Sequence, residues 1–168
     1  MKNKTGFSLV EMLCVLVLFG IISSAVTIGF SKSISQFNFT RENDAMSQKA
    51  QVALNRILME FTYLDPGAAA STLDFSGNSY KYPTSCFGTS EINSFVYDPS
   101  AKQLLWNHNQ DKNSYVLCDN VSGFSMSLTP AGATPSTLKQ VTVTISLTGS
   151  NNVTQQFVTQ VAIKNLGS

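Results

Sequence analysis

The longest apolar stretch of the chain lies near its N-terminus. Residues Phe7 to Phe30 form an almost unbroken hydrophobic run that contains a single charge, Glu11. As a helix this run would be about 36 Å long at 1.5 Å per residue, against a bilayer hydrocarbon core of about 30 Å. The pattern therefore predicts a membrane-spanning helix. A carboxylate inside such a helix costs about 3 kcal/mol on insertion scales, so its presence predicts a partner and a function.

A second helical pattern follows the apolar run. From Ala45 onward, apolar residues recur at steps of three and four, which is typical of an amphipathic helix with one face for a core. Asp65-Pro66-Gly67 ends the pattern. We expect one long helix from about Phe7 to Leu64. The predicted core face contains Met46, Ala50, Ala53, Leu54, Ile57, Leu58, Phe61 and Leu64, and the residues off this face are Gln48, Lys49, Gln51, Asn55, Arg56 and Glu60.

The remainder of the chain has the pattern of β-strands. Val141 to Leu147 alternates apolar and hydroxyl side chains, as a half-buried strand does, and Gly149–Asn152 turns the chain back. Similar short runs, rich in β-branched and aromatic residues, are bounded by turn residues. A helix laid across this antiparallel sheet gives an α+β fold. The predicted strands are Ser79–Tyr82, Asn93–Tyr97, Gln103–Trp106, Tyr115–Cys118, Phe124–Leu128, Val141–Leu147 and Val153–Ile163.

Composition narrows the function classes. The 168-residue chain has 12% charged residues and a formal net charge of +1, so it lacks the basic footprint of a nucleic-acid-binding protein. The single histidine, His108, has no catalytic motif around it, and we expect no enzyme and no cofactor. The spacing of Asn107, Asn109 and Asp111 is that of a calcium loop only in its first positions, because Lys112 and Cys118 stand where glycine and an acid are needed. We therefore predict no metal site.

The segment Gly6-Phe7-Ser8-Leu9-Val10-Glu11-Met12-Leu13 resembles the cleavage and methylation motif of type IV prepilins and type II secretion pseudopilins. The resemblance implies that a membrane-embedded prepilin peptidase cuts after Gly6. It also implies that Phe7 becomes an N-methylated N-terminus and that Glu11 is the glutamate that the family carries. The fold it implies is pilin-like, with the first half of the long helix in the membrane and the second half packed on the sheet.

The motif also suggests a role for the intramembrane charge. Once the leader is removed, Phe7 carries a free ammonium, and Glu11 of one subunit could pair with the Phe7 amine of a neighbour displaced along the filament. An ordinary secretory signal peptide is an alternative, because Ser23-Ser24-Ala25 is an acceptable cleavage site. A generic signal anchor is another. Neither alternative gives a reason for a carboxylate within the hydrophobic run.

A second resemblance covers about half of the chain. The runs Phe95–Trp106 and Tyr115–Leu128, with Asn165-Leu166 near the end, are similar to the J-type minor pseudopilins of type II secretion and the W-type minor pilins of type IV pili. Many major pilins carry a proline in the first half of the long helix, and this sequence has none there. Both observations favour a minor subunit that initiates or caps a pilus or pseudopilus. The alternatives are a membrane-tethered extracytoplasmic binding or adhesin module and a competence (DNA-uptake) pseudopilin.

The resemblance implies an organisation, a location and partners. We expect a leader at residues 1–6, a transmembrane and assembly helix at 7–30, an amphipathic helix at 31–65 and an extracytoplasmic sheet domain at 66–168. The expected partners are the prepilin peptidase, other minor and major pilins or pseudopilins, and the inner (cytoplasmic) membrane, with no nucleic-acid contact. Cys86 and Cys118 would lie in an oxidising compartment, where we predict a disulfide, the alternative being two buried thiols. Cys14 is expected to be a small apolar filler of the membrane helix.

Overall fold

The computed structural model describes residues 8–86, 89–108, 114–149 and 151–163, with only the backbone of residues 86, 89 and 90. The chain divides into two compact units, residues 1–42 and 43–168. Helix α1 spans Leu9–Thr62 and contributes to both units. The predicted long helix is therefore confirmed over the described residues, and it ends two residues before the predicted Leu64.

The first unit presents its hydrophobic side chains outward. All side chains from Leu9 to Phe30 are exposed, and the helix is long and apolar enough to cross a membrane by length and composition. Five of its hydroxyl groups donate to carbonyl groups within the helix. Ser24 Oγ donates to the Ile21 carbonyl at 2.7 Å, and Thr27 Oγ1 donates to the Ser23 carbonyl at 2.8 Å. Such bonds to the preceding turn let serine and threonine lie in an apolar environment without unpaired donors.

Over the described residues, the second unit contains two antiparallel sheets, whereas the sequence pattern predicted one. The first sheet has the strand order β1-β2-β3-β4-β5 and the second the order β6-β7-β8. The chain leaves the first sheet at Asn120, which has a positive φ of 57°, and the Val121 N–H then donates to the Lys102 carbonyl rather than extending the ladder of β5. The strands are β1 Asp74–Ser76, β2 Ser79–Cys86, β3 Thr89–Asp98, β4 Gln103–Asn107, β5 Ser114–Cys118, β6 Val121–Thr129, β7 Gln140–Thr148 and β8 Thr154–Ala162.

The sequence pattern located most of these strands and missed one. Strand β1 was not predicted, and β2 continues four residues beyond the predicted Tyr82 to Cys86. Strand β1 pairs with β2 through a tight turn in which Gly77 has a φ of 60°, a conformation that glycine adopts without strain. The isolated three-residue run carries too little periodicity to be recognised as a strand.

The core lies between the C-terminal part of α1 and the inner faces of both sheets. The predicted alternation in β7 is confirmed, since Val141, Val143, Ile145 and Leu147 are each 0% exposed. Fully burying side chains of this size stabilises a fold by about 1.5–3 kcal/mol each. The helix contributes a stripe of buried residues at Met46, Ala50, Ala53, Ile57 and Phe61.

The predicted core face of the helix requires two corrections. Leu58 is 42% exposed and lies outside the core, because it is displaced by one residue from the buried Ile57 and therefore points about 100° away. Glu60, predicted to lie off the core face, is 8% exposed. The buried position of Glu60 determines the geometry of the polar region described below.

Candidate functional site

The N-terminal segment begins the long helix at a serine. The N–H groups of Glu11 and Met12 donate to the Ser8 carbonyl at 3.0 and 3.2 Å. Ser8 is therefore the residue that precedes the first helical turn, and its carbonyl accepts the first bonds of the helix. Gly6 and Phe7, the predicted cleavage and methylation residues, lie outside the described residues.

Glu11 lies in the first turn of α1. A carboxylate there is favoured by the partial positive charge of the helix N-terminus, by about 0.3–1 kcal/mol. It is the only charged side chain between Leu9 and Phe30, and it is exposed on the helix surface. The arrangement provides one negative charge on an otherwise apolar surface, available to a positive group of another molecule.

The two cysteines of the predicted disulfide lie at opposite ends of the five-stranded sheet. Cys86 is opposite Thr89 at the start of β3, whereas Cys118 is opposite Leu104, which is itself opposite Tyr97 near the end of β3. The eight steps from Thr89 to Tyr97 span roughly 27 Å at about 3.4 Å per residue. A disulfide requires Cα atoms within about 7 Å of each other.

The structure therefore does not bring the predicted pair together. Cys118 is a buried free thiol, and its Sγ lies 3.5 Å from the carbonyl oxygen of Asp119. Burial, together with the nearby Asp119 carboxylate, raises the pKa of this thiol to about 11. The side chain of Cys86 is outside the described part of the chain. Cys14 is exposed on the apolar helix.

A buried polar network lies at one end of the first sheet. One carboxylate oxygen of Glu60, Oε2, accepts hydrogen bonds from Tyr82 Oη at 3.1 Å and from Asn93 Nδ2 at 3.0 Å. The other, Oε1, pairs with the Arg56 guanidinium at 2.6 Å. Asn93 Nδ2 also lies 3.2 Å from Thr84 Oγ1. Two strands and the helix thus provide hydrogen-bond donors to one buried carboxylate, as burial of a charge requires.

Aromatic rings continue this network toward the surface. Trp106 Nε1 donates to Tyr82 Oη at 3.1 Å, and the Arg56 guanidinium lies 4.2 Å from the centre of the Trp106 ring. Burial, reinforced by the Glu60 carboxylate, raises the pKa of Tyr82 above its ordinary value of 10.0. Tyr82 therefore remains protonated and can donate to Glu60. The Trp106 ring also bounds an open cleft.

This cleft has a volume of about 260 Å³ and lies between the end of α1 and the polar end of β2, β3 and β4. Its walls include Arg56, Glu60, Trp106 and His108. His108 Nε2 lies 3.1 Å from Glu91 Oε2, so the histidine that appeared isolated in the sequence has an acidic neighbour. Within the described ranges no three acidic, histidine or cysteine side chains form a metal-binding group. Asn109 and Asp111 of the partial calcium pattern lie outside those ranges.

Sequence reasoning missed the cleft because its members come from distant parts of the chain. Arg56 and Glu60 are spaced as a helical ion pair, which is a weak signal. Thr84 and Glu91 become neighbours only through the register of β2 and β3. No local motif joins these positions.

Comparison with known proteins identifies the N-terminal segment. Residues 1–27 match the family model described as the prokaryotic N-terminal methylation motif. No curated protein and no solved structure gives a significant match. The recognisable part of the chain is thus the segment that contains Gly6, Phe7 and Glu11.

Proposed function

We propose that this chain is a type IV prepilin or pseudopilin, and specifically a minor subunit that initiates or caps a pilus or pseudopilus. The match of residues 1–27 to the prokaryotic N-terminal methylation motif supports this proposal. The observation that carries the proposal is the position of Glu11 on the helix. It is a single carboxylate in the first turn of an apolar helix. The part of this helix that is long and apolar enough to cross a membrane is not covered by any other part of the described chain. Such a surface is removed from water by membrane lipid before assembly and by the apolar helices of other subunits in an assembled filament.

The proposal assigns a processing step to the residues before the helix. Prepilin peptidase cuts between Gly6 and Phe7, and the new amine of Phe7 is methylated. Cleavage leaves a positive charge at the end of an apolar helix. Glu11 of one subunit then neutralises the Phe7 ammonium of the next, so that only one stagger between two helices pairs both charges.

Two further features of the sequence support the minor role. The similarity to J-type and W-type minor subunits lies in strands that match β3 to β6 in position. The missing proline in the first half of α1 points the same way. A DNA-uptake pseudopilin would share all of these features, and the neutral composition gives no support for nucleic-acid contact.

The assembly proposal is tested with Glu11→Ala in the native host. We expect normal cleavage and normal folding, but strongly reduced incorporation into filaments, because one buried partner of an ion pair left alone costs about 3–5 kcal/mol. Glu11→Asp, which keeps the charge, is the matched control. Incorporation is measured by quantitative mass spectrometry of sheared filaments, which also gives the copy number.

Two results would contradict the proposal. Normal incorporation of Glu11→Ala would remove the role of the charge and favour a tethered binding module. A copy number equal to that of the most abundant filament protein would identify a major rather than a minor subunit.

A further inference from the structure

The polar cleft at the end of α1 has the construction of a binding site rather than of a surface irregularity. Its inner wall is Glu60, which is 8% exposed and satisfied by three donor groups. Arg56 is held between Glu60 and the Trp106 ring. Side chains fixed in this way keep their positions without a ligand, which is the condition for preorganised recognition.

Side chains of both signs of charge line the cleft. Arg56 pairs with Glu60, and His108 lies against Glu91. A charged ligand would lose its hydration and meet a like charge, a cation that of Arg56 and an anion that of Glu91, which is unfavourable in a partly buried site. The electrostatics therefore favour a neutral ligand.

The same groups retain hydrogen-bonding capacity. The side chains of Glu91 and His108 are 28% and 41% exposed, and that of Arg56 is 39% exposed. A carboxylate accepts at both oxygens, whereas a guanidinium offers five N–H donors. Acceptors and donors therefore lie side by side at the cleft. A hydroxyl group donates once and accepts twice, so neighbouring hydroxyls of one ligand can use both kinds of group.

The mouth of the cleft is apolar. Met59 and Tyr63 line it and are 54% and 55% exposed. Such side chains pack against the C–H surface of a ligand while its polar groups reach inward. A volume of about 260 Å³ is just below the usual range of about 300–1,000 Å³ for small-molecule sites, so the cleft holds a single ring-sized unit.

We propose that this cleft binds one unit of a neutral saccharide. Polyhydroxylated rings combine the required features: no net charge, vicinal groups that donate and accept, and C–H faces for an apolar rim. This role is independent of filament assembly, because none of the cleft residues belongs to the N-terminal segment.

The protein itself provides a reporter for the test. Trp106 is the only tryptophan of the chain, and its ring borders the cleft. The full-length protein in detergent is titrated with maltose, lactose and N,N′-diacetylchitobiose to about 10 mM, which detects millimolar dissociation constants. We expect at least one of these saccharides to change the Trp106 fluorescence to a saturating value. In ligand-observed NMR, the same saccharide should receive saturation transferred from the protein.

Variants locate the binding. Glu91→Gln should weaken it about tenfold or more by removing a charged acceptor. Tyr63→Ala, at an exposed side chain outside the core, should weaken it about three- to tenfold. Lys49→Gln, which breaks the exposed Lys49–Asp119 pair elsewhere on the same helix, should leave the dissociation constant unchanged.

Four results would overturn the proposal. They are the absence of binding by all three saccharides, unchanged affinity in both cleft variants, stronger binding of spermidine or citrate than of any saccharide, and a fluorescence change that appears only when another pilin subunit is added. The last result would identify the cleft as a contact between subunits.

Discussion

The buried carboxylate of Glu60 provides the sharpest test of the structure of the second unit. In Glu60→Gln the side chain keeps its shape but loses its charge, and one oxygen becomes an NH₂ donor. Tyr82 and Asn93 donate to one position and Arg56 donates to the other. Whichever way the amide is turned, its NH₂ group faces at least one of these donors.

The magnitude follows from two contributions. A buried donor left without an acceptor costs about 1–3 kcal/mol. An exposed ion pair contributes about 0–1 kcal/mol, and breaking a buried one costs about 3–5 kcal/mol. The cost of losing the pair with Arg56 lies between these values, because the Arg56 side chain is 39% exposed and that of Glu60 only 10%. Together they predict that the free energy of unfolding falls by about 2–4 kcal/mol. Domain stabilities are about 5–15 kcal/mol, so the variant still folds.

The assay is urea unfolding of the full-length protein in detergent, monitored by far-ultraviolet circular dichroism. Fluorescence is avoided here because Trp106 contacts Tyr82 directly. The matched control is Lys49→Gln, which breaks a surface ion pair and should change stability by no more than about 1 kcal/mol. Tyr82→Phe removes one donor to Glu60, and the double variant should show a coupling energy of about 0.5–3 kcal/mol.

A different outcome would refute the reasoning. If Glu60→Gln unfolds within about 0.5 kcal/mol of the unaltered protein, it behaves as an ordinary surface substitution. Strictly additive effects of Glu60→Gln and Tyr82→Phe would show that the two side chains do not share a hydrogen bond. Either result would mean that Glu60 is solvated in the protein.

Three further predictions concern other parts of the chain. Gly6→Val should block the peptidase sterically, so that N-terminal mass spectrometry finds the intact leader in place of a methylated Phe7; a cut at another position would favour a signal peptide. Because the register separates Cys86 from Cys118, non-reducing peptide mapping should recover both as thiols, and a linked peptide would contradict that register. The pKa of Cys118 is raised from 9.0 to about 11 and that of Tyr82 is raised above 10.0, so both groups stabilise the fold fully below about pH 9 and progressively less as the pH rises. The urea concentration at the midpoint of unfolding should therefore decrease as the pH is raised above about 9. A midpoint that stays constant or increases over this pH range would contradict the burial of these two groups.

Periodicity in the sequence predicted the elements of this fold well, because burial repeats along a single element. The alternating residues of β7 and the stripe from Met46 to Phe61 are examples. The division into two sheets was not predictable in this way. It depends on where Asn120 turns the chain and on the bond between Val121 and Lys102, which are 19 residues apart.

The N-terminal methylation motif was recognisable for a different reason. Its signal is a contiguous run of residues around Gly6 and Glu11, so its recognition needs no knowledge of the fold. The disulfide prediction relied on the oxidising compartment and on the number of cysteines. Neither criterion contains information about which residues are paired between neighbouring strands. Cysteines at opposite ends of antiparallel strands satisfy both criteria without being close in space.

Glu60 was misplaced even though the sequence contains its signal. Ala53, Ile57, Glu60 and Leu64 are separated by four, three and four residues, so spacing alone puts Glu60 on the buried face. Its charge led to its assignment to the solvent side. A charged residue at a core spacing instead predicts a buried group that needs several donors. Those donors are on strands, and Tyr82 and Asn93 are directly opposite each other across β2 and β3. Spacing could thus have predicted the buried carboxylate, whereas its partners required the register that only the folded chain provides.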